Sequence, residues 1–193
     1  MIISNKIIKD YYKKAMREGD RIYSEGNDKY LEILKEQYAI NNARYSHSKP
    51  KFTEAQAVTM WYVSRELCRY FKIGVNALRF NSPPEVLLYF AFMQVWNKNY
   101  ILVNERFGKY EMDVSIRDCN TNIILASDAQ GYAVHKDTET QDAKKREELK
   151  RQGLVLLQPA GVFLVNNFCD FVEILKETLR EVYKESNVHY LKK

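Results

Sequence analysis

The sequence is poor in the residues that mark several special classes of protein. Its 193 residues include only 3 cysteines, 4 prolines and 7 glycines. Cys68, Cys119 and Cys169 are isolated and odd in number, which excludes a disulfide framework and a CxxC zinc motif and predicts a reducing, cytoplasmic location. The small number of glycines and prolines argues against a disordered chain.

Long apolar runs are also absent. The first ten residues, MIISNKIIKD, contain no apolar stretch long enough for a signal peptide. The longest apolar stretch, residues 86–96, is too short to span a bilayer and is interrupted by Gln94. Hydrophobic residues make up 46 % of the chain and charged residues 28 %. We therefore predict a packed core and no membrane segment.

The charge balance is mildly basic. The formal net charge is +5 at pH 7 and the isoelectric point is near 8.9. This charge permits binding to nucleic acid, but many solvated protein surfaces carry as much, so it does not identify a partner by itself.

Residues 1–75 are predicted to form a helical extension. Residues 5–43 have the pattern of two helices broken near Gly26. A third helix begins at Thr53, where Thr53 and Gln56 form a capping-box pattern, and it should end near Gly74. Residues 76–193 then form the second domain.

The second domain has a different pattern. Ser82-Pro-Pro-Glu85 is typical of a helix start, and that helix should run to about Asn97. Strand patterns follow at residues 100–104, 110–116 and 123–126. A charged helix, a short buried strand and an amphipathic helix are predicted at residues 136–152, 154–157 and about 166–186. The order α-β-β-β-α-β-α predicts an α/β sandwich around a mixed sheet.

Two aspartates on neighbouring strands are the first candidate site residues. A turn at residues 118–122 joins the strands of Asp113 and Asp128 in a hairpin, so these carboxylates can lie side by side. An ionised carboxylate on a half-buried strand needs a cation or strong hydrogen-bond donors. Gln130 points to the same face as Asp128 if the strand continues. Converging carboxylates are the ligands that Mg²⁺ or Mn²⁺ needs for phosphodiester hydrolysis.

Residues 82–161 resemble the PD-(D/E)xK nuclease superfamily, and within it the very-short-patch-repair endonuclease-like group. The matching pieces occur in the family's order: Ser82-Pro-Pro-Glu85, then Asp113, then Asp128-Ala-Gln-Gly-Tyr-Ala-Val-His135, then Lys145-Arg-Glu-Glu-Leu-Lys-Arg-Gln-Gly153, then Leu-Val-Leu-Leu157. The resemblance implies a restriction-endonuclease-like core, a three-layer sandwich around a mixed β-sheet, and it does not cover the helical extension.

The resemblance also implies a metal site. By resemblance, Asp113 is the principal metal ligand and Asp128 is the acid of the (D/E)xK pair. Glu85 is the helix glutamate that reaches the metal directly or through water. Glu85 also has an alternative role as the acid of a helix-capping box, and Asp128 has one as a turn residue at the end of its strand.

Four further residues complete the candidate site. Gln130 stands where the family usually has lysine, and a glutamine supplies no positive charge to the attacking hydroxide. His135 resembles a histidine that assists the hydrolytic water or a phosphate, with a surface residue as the alternative. Lys145 and Arg146 are candidate contacts to nucleic acid, with a solvated helix face as the alternative.

Three functions follow as hypotheses. The first is a Mg²⁺- or Mn²⁺-dependent endonuclease that hydrolyses phosphodiester bonds of DNA. The second is a catalytically degenerate nuclease fold that binds DNA or a protein in phage defence, counter-defence or mobile-element biology. The third is an α/β interaction domain in which Asp113 and Asp128 lie far apart. A protein partner or a homodimer stays open in each case.

Overall fold

The computed structural model describes residues 3–26, 29–44, 52–118, 120, 122–130 and 139–183. The chain divides into two compact units: Lys9–Pro83, and Met1–Ile8 together with Pro84–Lys193. The boundary thus falls beside the helix start at Ser82-Pro-Pro-Glu85, eight residues beyond the predicted one, and residues 1–8 group with the second unit. No helix in the described ranges combines the length and the hydropathy that a bilayer span requires.

The unit of residues 9–83 is helical. Its helices are α1 (Asn5–Glu25, which begins in the other unit), α2 (Lys29–Arg44) and α3 (Glu54–Tyr70). Thr53 caps α3, because its hydroxyl accepts the Gln56 N–H while the Gln56 side chain accepts the Thr53 N–H. The predicted capping box is therefore confirmed. The core between α2 and α3 consists of Leu31, Leu34, Val58 and Tyr62.

A four-stranded mixed sheet is the centre of the other unit. The strands are β1 (Ile101–Phe107), β2 (Tyr110–Arg117), β3 (Ile123–Ser127) and β4 (Val155–Leu157), in that spatial order. The β1–β2 and β2–β3 pairs are antiparallel, and the β3–β4 pair is parallel. Parallel neighbours need a crossover connection, and α5 (Glu139–Arg151) lies in it. The remaining helices are α4 (Pro83–Val95), α6 (Gly161–Asn166) and α7 (Phe168–Tyr183).

Both faces of the sheet are buried. On one face, Leu149 of α5 packs with Ala126 and Leu156 in a cluster of buried residues. On the other, Val114, Ile116 and Leu125 have no exposed surface. The prediction of an α/β unit built on a mixed sheet is confirmed. The arrangement is compatible with a three-layer sandwich.

The structure differs from the sequence-based prediction at several element ends. β1 runs on to Phe107, and α4 ends at Val95 rather than near Asn97. The short helix α6 was not predicted, because its six residues carry too little periodic pattern to separate it from the following helix. Asn167 leaves the helical conformation, with φ −129° and ψ 40°, and this divides α6 from α7.

Candidate functional site

Asp113 and Asp128 lie next to each other where the β2–β3 ladder ends. Val114 pairs with Ser127, so the register places Asp113 opposite Asp128. Asp128 Oδ1 accepts the Asp113 N–H at 3.2 Å, and Asp113 Oδ2 accepts the Ala129 N–H at 2.8 Å. Each carboxylate thus accepts a hydrogen bond from a backbone N–H group of the neighbouring strand, as a main-chain carbonyl does in a regular sheet. These two hydrogen bonds hold the two acids beside each other.

The environment of Asp113 disfavours its negative charge. Burial raises the pKa of Asp113 from an ordinary value of 3.8 to about 7, and the negative charge of Asp128 adds to this effect. The Ala129 N–H and the charge of Lys145 oppose the rise in pKa but do not cancel it. A second cation at this point would stabilise the ionised form of Asp113.

Lys145 contributes the positive charge of the site. Its ammonium donates to Asp128 Oδ2 at 2.6 Å and to the Glu111 carbonyl at 2.7 Å. The Lys145 and Asp128 side chains are each 15 % exposed, so the ion pair is mostly shielded from solvent. The sequence predicted a nucleic-acid contact for Lys145, but its ammonium is directed at the acid pair. Arg146 is exposed and lines a groove with Lys150 beside β4.

The spacing of α5 against β3 explains how Lys145 reaches Asp128. Leu149 of α5 packs in the same cluster as Ala126 of β3. Lys145 lies four residues before Leu149 on α5, and it contacts Asp128, which lies two residues after Ala126. Four helical residues advance about 6 Å and two strand residues about 6.6 Å, so the two periods match. A fixed positive charge therefore follows from the packing of α5 on the sheet.

Gln130 shares the α5 side of the sheet with Asp128. Its Nε2 donates to Asp142 Oδ2 at 3.3 Å, and Asp142 lies three residues before Lys145 on α5. An isolated parallel bridge between Gln130 and Ala160 extends the β3–β4 pairing beyond the strands. The expectation that the strand direction continues to Gln130 is met. The Gln130 amide group is engaged with α5.

The structure describes Glu85, but His135 lies outside the described residues. Glu85 lies in the first turn of α4 and is only 5 % exposed. No group of three or more His, Cys, Asp or Glu side chains placed to hold an ion occurs among the described residues, so Glu85 does not form one with Asp113 and Asp128. His135 lies in residues 131–138, outside the described part of the chain.

Two residues outside the predicted candidate site stand at register positions beside the acids. Asn104 is opposite Asp113 in the β1–β2 register, between the Val103–Val114 and Glu105–Met112 pairs, and has φ 54°. Asparagine tolerates this left-handed conformation better than most residues do. Gln158 directly follows β4, and its register with β3 places it beside Asp128. Both residues can be identified from the strand register, but only once the pairing of the strands is known.

The donor chemistry of the acid pair fits a hard divalent cation. Mg²⁺ is commonly bound through one or two carboxylates, with water or phosphate oxygens completing the shell. Burial and the neighbouring charge of Asp128 raise the pKa of Asp113, and a divalent cation bound here would favour its ionised form. Asp113 and Asp128 are therefore the residues that would hold the ion.

Other proteins add no evidence about this site. Comparisons with protein-family models, with curated proteins and with solved structures find no match to this chain. Any function assigned to the chain must therefore come from its own residues.

Proposed function

We propose that this protein is a Mg²⁺- or Mn²⁺-dependent endonuclease that hydrolyses phosphodiester bonds in DNA, with a PD-(D/E)xK-type core. The observation that carries the proposal is the acid pair, Asp113 and Asp128, on adjacent strands with the ammonium of Lys145 against it. Two adjacent carboxylates can hold a divalent ion, and such an ion supplies the Lewis acid and the activated water that phosphodiester hydrolysis uses.

The residues of the site have distinct roles in this proposal. Asp113 and Asp128 hold the divalent ion, which polarises the scissile phosphate and lowers the pKa of a bound water. Lys145 supplies a fixed positive charge beside the position where negative charge develops on the phosphate. This is the charge that Gln130, at the lysine position of the superfamily motif, cannot supply.

Exposed basic residues near the acid pair favour a polyanionic substrate. Arg146 and Lys150 follow Lys145 along α5 and are exposed. Arg106 and Lys109 at the turn between β1 and β2 are exposed as well, although each is ion-paired with a glutamate of the same unit. Phosphate contacts from such residues give affinity without sequence specificity. These residues would therefore contact the phosphate backbone of the proposed DNA substrate.

The direct test is incubation of the purified protein with supercoiled plasmid and Mg²⁺ or Mn²⁺. Wild type should nick or linearise the plasmid, and Asp113→Ala should lower the rate by at least about a thousandfold, because a principal ligand of the ion is lost. The exposed acid Asp20 on α1 provides the control, since Asp20→Ala should cleave like wild type. Equal rates for wild type and Asp113→Ala would refute the proposal.

Gln130→Ala should have a smaller effect than any change that removes the site's cation. The substitution loses the contact to Asp142 but leaves Lys145 against Asp128. We expect cleavage to slow by roughly tenfold, less than the hundredfold or more lost with a positioned catalytic group, because the Gln130 amide bonds to Asp142. Plasmid cleavage rates at saturating metal measure this. A rate equal to that of wild type would place Gln130 outside the reacting site.

A second candidate function is a non-catalytic module that binds DNA or a protein. The observation that favours it is the hydrogen bonding of the acids: backbone N–H groups and Lys145 already serve both carboxylates, and no larger acidic group occurs in the described ranges. Titration calorimetry with Mn²⁺ separates the two functions. No uptake of Mn²⁺ by wild type, with plasmid left intact, would support the module.

A further inference from the structure

Asp113 on β2, Asp128 just after β3 and Gln158 just after β4 occupy neighbouring positions across the sheet. Asp113 is opposite Asp128 in the β2–β3 register. Ser127 pairs with Leu157, and the Gln130–Ala160 bridge keeps the same offset of thirty residues, so Gln158 is beside Asp128 on its other side. Residues paired on neighbouring strands point to the same face and are about 5 Å apart. Asp128 is thus flanked by Asp113 and Gln158.

The Gln158 side chain has an unused acceptor. Its Oε1 atom is buried, and it accepts no hydrogen bond from any residue that the structure describes. A buried oxygen without a donor destabilises a fold, so such an atom is a candidate to coordinate a cation. Ser115 Oγ is also buried without a described partner, but Ser115 pairs with Ala126, two residues along each strand from the acids.

We propose that Oε1 of Gln158 is the third protein oxygen of the divalent-cation site that Asp113 and Asp128 form. The inference rests on the proposed function and names a ligand that the superfamily resemblance does not provide. An amide oxygen is a hard donor that suits Mg²⁺ or Mn²⁺, as a carboxylate does. It adds no negative charge where charge is already crowded, and Glu85 is then not needed as a direct ligand.

Binding of Mn²⁺ in the absence of DNA tests this inference. Gln158→Leu should weaken Mn²⁺ binding by roughly tenfold in titration calorimetry, because one neutral ligand is lost. Gln158→Glu keeps an oxygen at this position and should bind Mn²⁺ at least as tightly as wild type. Gln94→Leu is the matched control: Gln94 is half-buried too, but its amide donates to the Phe90 carbonyl, so its loss should leave Mn²⁺ affinity unchanged.

The possible outcomes distinguish the inference from the proposed function. If wild type takes up no Mn²⁺, the endonuclease proposal itself fails. If wild type binds Mn²⁺ and Gln158→Leu binds it equally well, the inference about Gln158 alone fails. Weak Mn²⁺ binding by both Gln158→Leu and Gln158→Glu would also overturn the inference. It would show that the Gln158 side chain supports the shape of the site and does not bind the ion. Melting curves without metal verify that each variant is folded.

Discussion

Asp113→Asn should make the protein more stable than wild type at pH 8, by up to about 4 kcal/mol, or roughly 12 °C in melting temperature. The pKa of Asp113 is raised to about 7 in the folded state, above its ordinary 3.8. Between these values the folded state binds more protons than the unfolded state, so this group's contribution to stability falls as pH rises from about 4 to above 7. Asparagine has no charge to bury and still offers an oxygen to the Ala129 N–H.

Melting curves at pH 5 and pH 8, recorded without metal, measure this effect. The stability gain of Asp113→Asn should shrink at pH 5, where Asp113 of wild type is protonated in the folded state. Asp20→Asn provides the control, since Asp20 is exposed and its substitution should change stability by less than about 0.5 kcal/mol at either pH. A variant no more stable than wild type at pH 8 would contradict the raised pKa. The same variant should lack DNA cleavage, whereas Asp20→Asn should keep it.

Lys145→Met should lower DNA cleavage by about a hundredfold or more while metal affinity is kept or improved. The fixed charge beside the phosphate is lost, which removes stabilisation of the transition state. The ammonium also competes with any ion for Asp128 Oδ2, so its loss should not weaken Mn²⁺ binding. Without metal, the variant should be less stable by about 2 kcal/mol, because the acid pair is left without its cation. The pKa of Asp113 should rise further, since Lys145 lowers it in wild type.

Lys176→Met is a control with the same ion-pair distance. Lys176 Nζ is 2.6 Å from Glu173 Oε1, as Lys145 Nζ is from Asp128 Oδ2, but the Lys176 and Glu173 side chains are 38 % and 61 % exposed. Exposed pairs contribute little, so this variant should match wild type in cleavage and in melting temperature. If Lys145→Met binds Mn²⁺ much more weakly than wild type, Lys145 supports the metal site instead of acting on the phosphate.

The sequence was sufficient to predict the hairpin and its acid pair. A strand carrying Asp113, a turn at residues 118–122 and a strand ending at Asp128 place the two acids side by side in an antiparallel register. Local patterns carry this information, because both the turn and the alternation of the strands are encoded within a few residues. The α/β class followed from the order of the elements for the same reason.

The contacts between α5 and the sheet could not be predicted from the sequence. Lys145 lies in a highly charged segment, which is typical of a solvated helix face. Its ammonium contacts Asp128 only because α5 packs against the sheet. Gln158 became a candidate only through the parallel β3–β4 pairing, which joins residues thirty positions apart. Contacts of this kind depend on tertiary packing, which periodicity and capping signals do not report.

The reciprocal hydrogen bonds of the acid pair also bear on how the site assembles during folding. Asp113 and Asp128 are 15 residues apart in a hairpin, whereas β4 must close a loop of thirty residues to pair with β3. Short hairpins form faster than pairings across long crossovers, because less chain entropy is lost on closure. We infer that the two carboxylates meet before α5 delivers Lys145 and before β4 brings Gln158. In that order of assembly the two acids are adjacent before their ammonium arrives, and until then only protons or cations from solution can offset their repulsion.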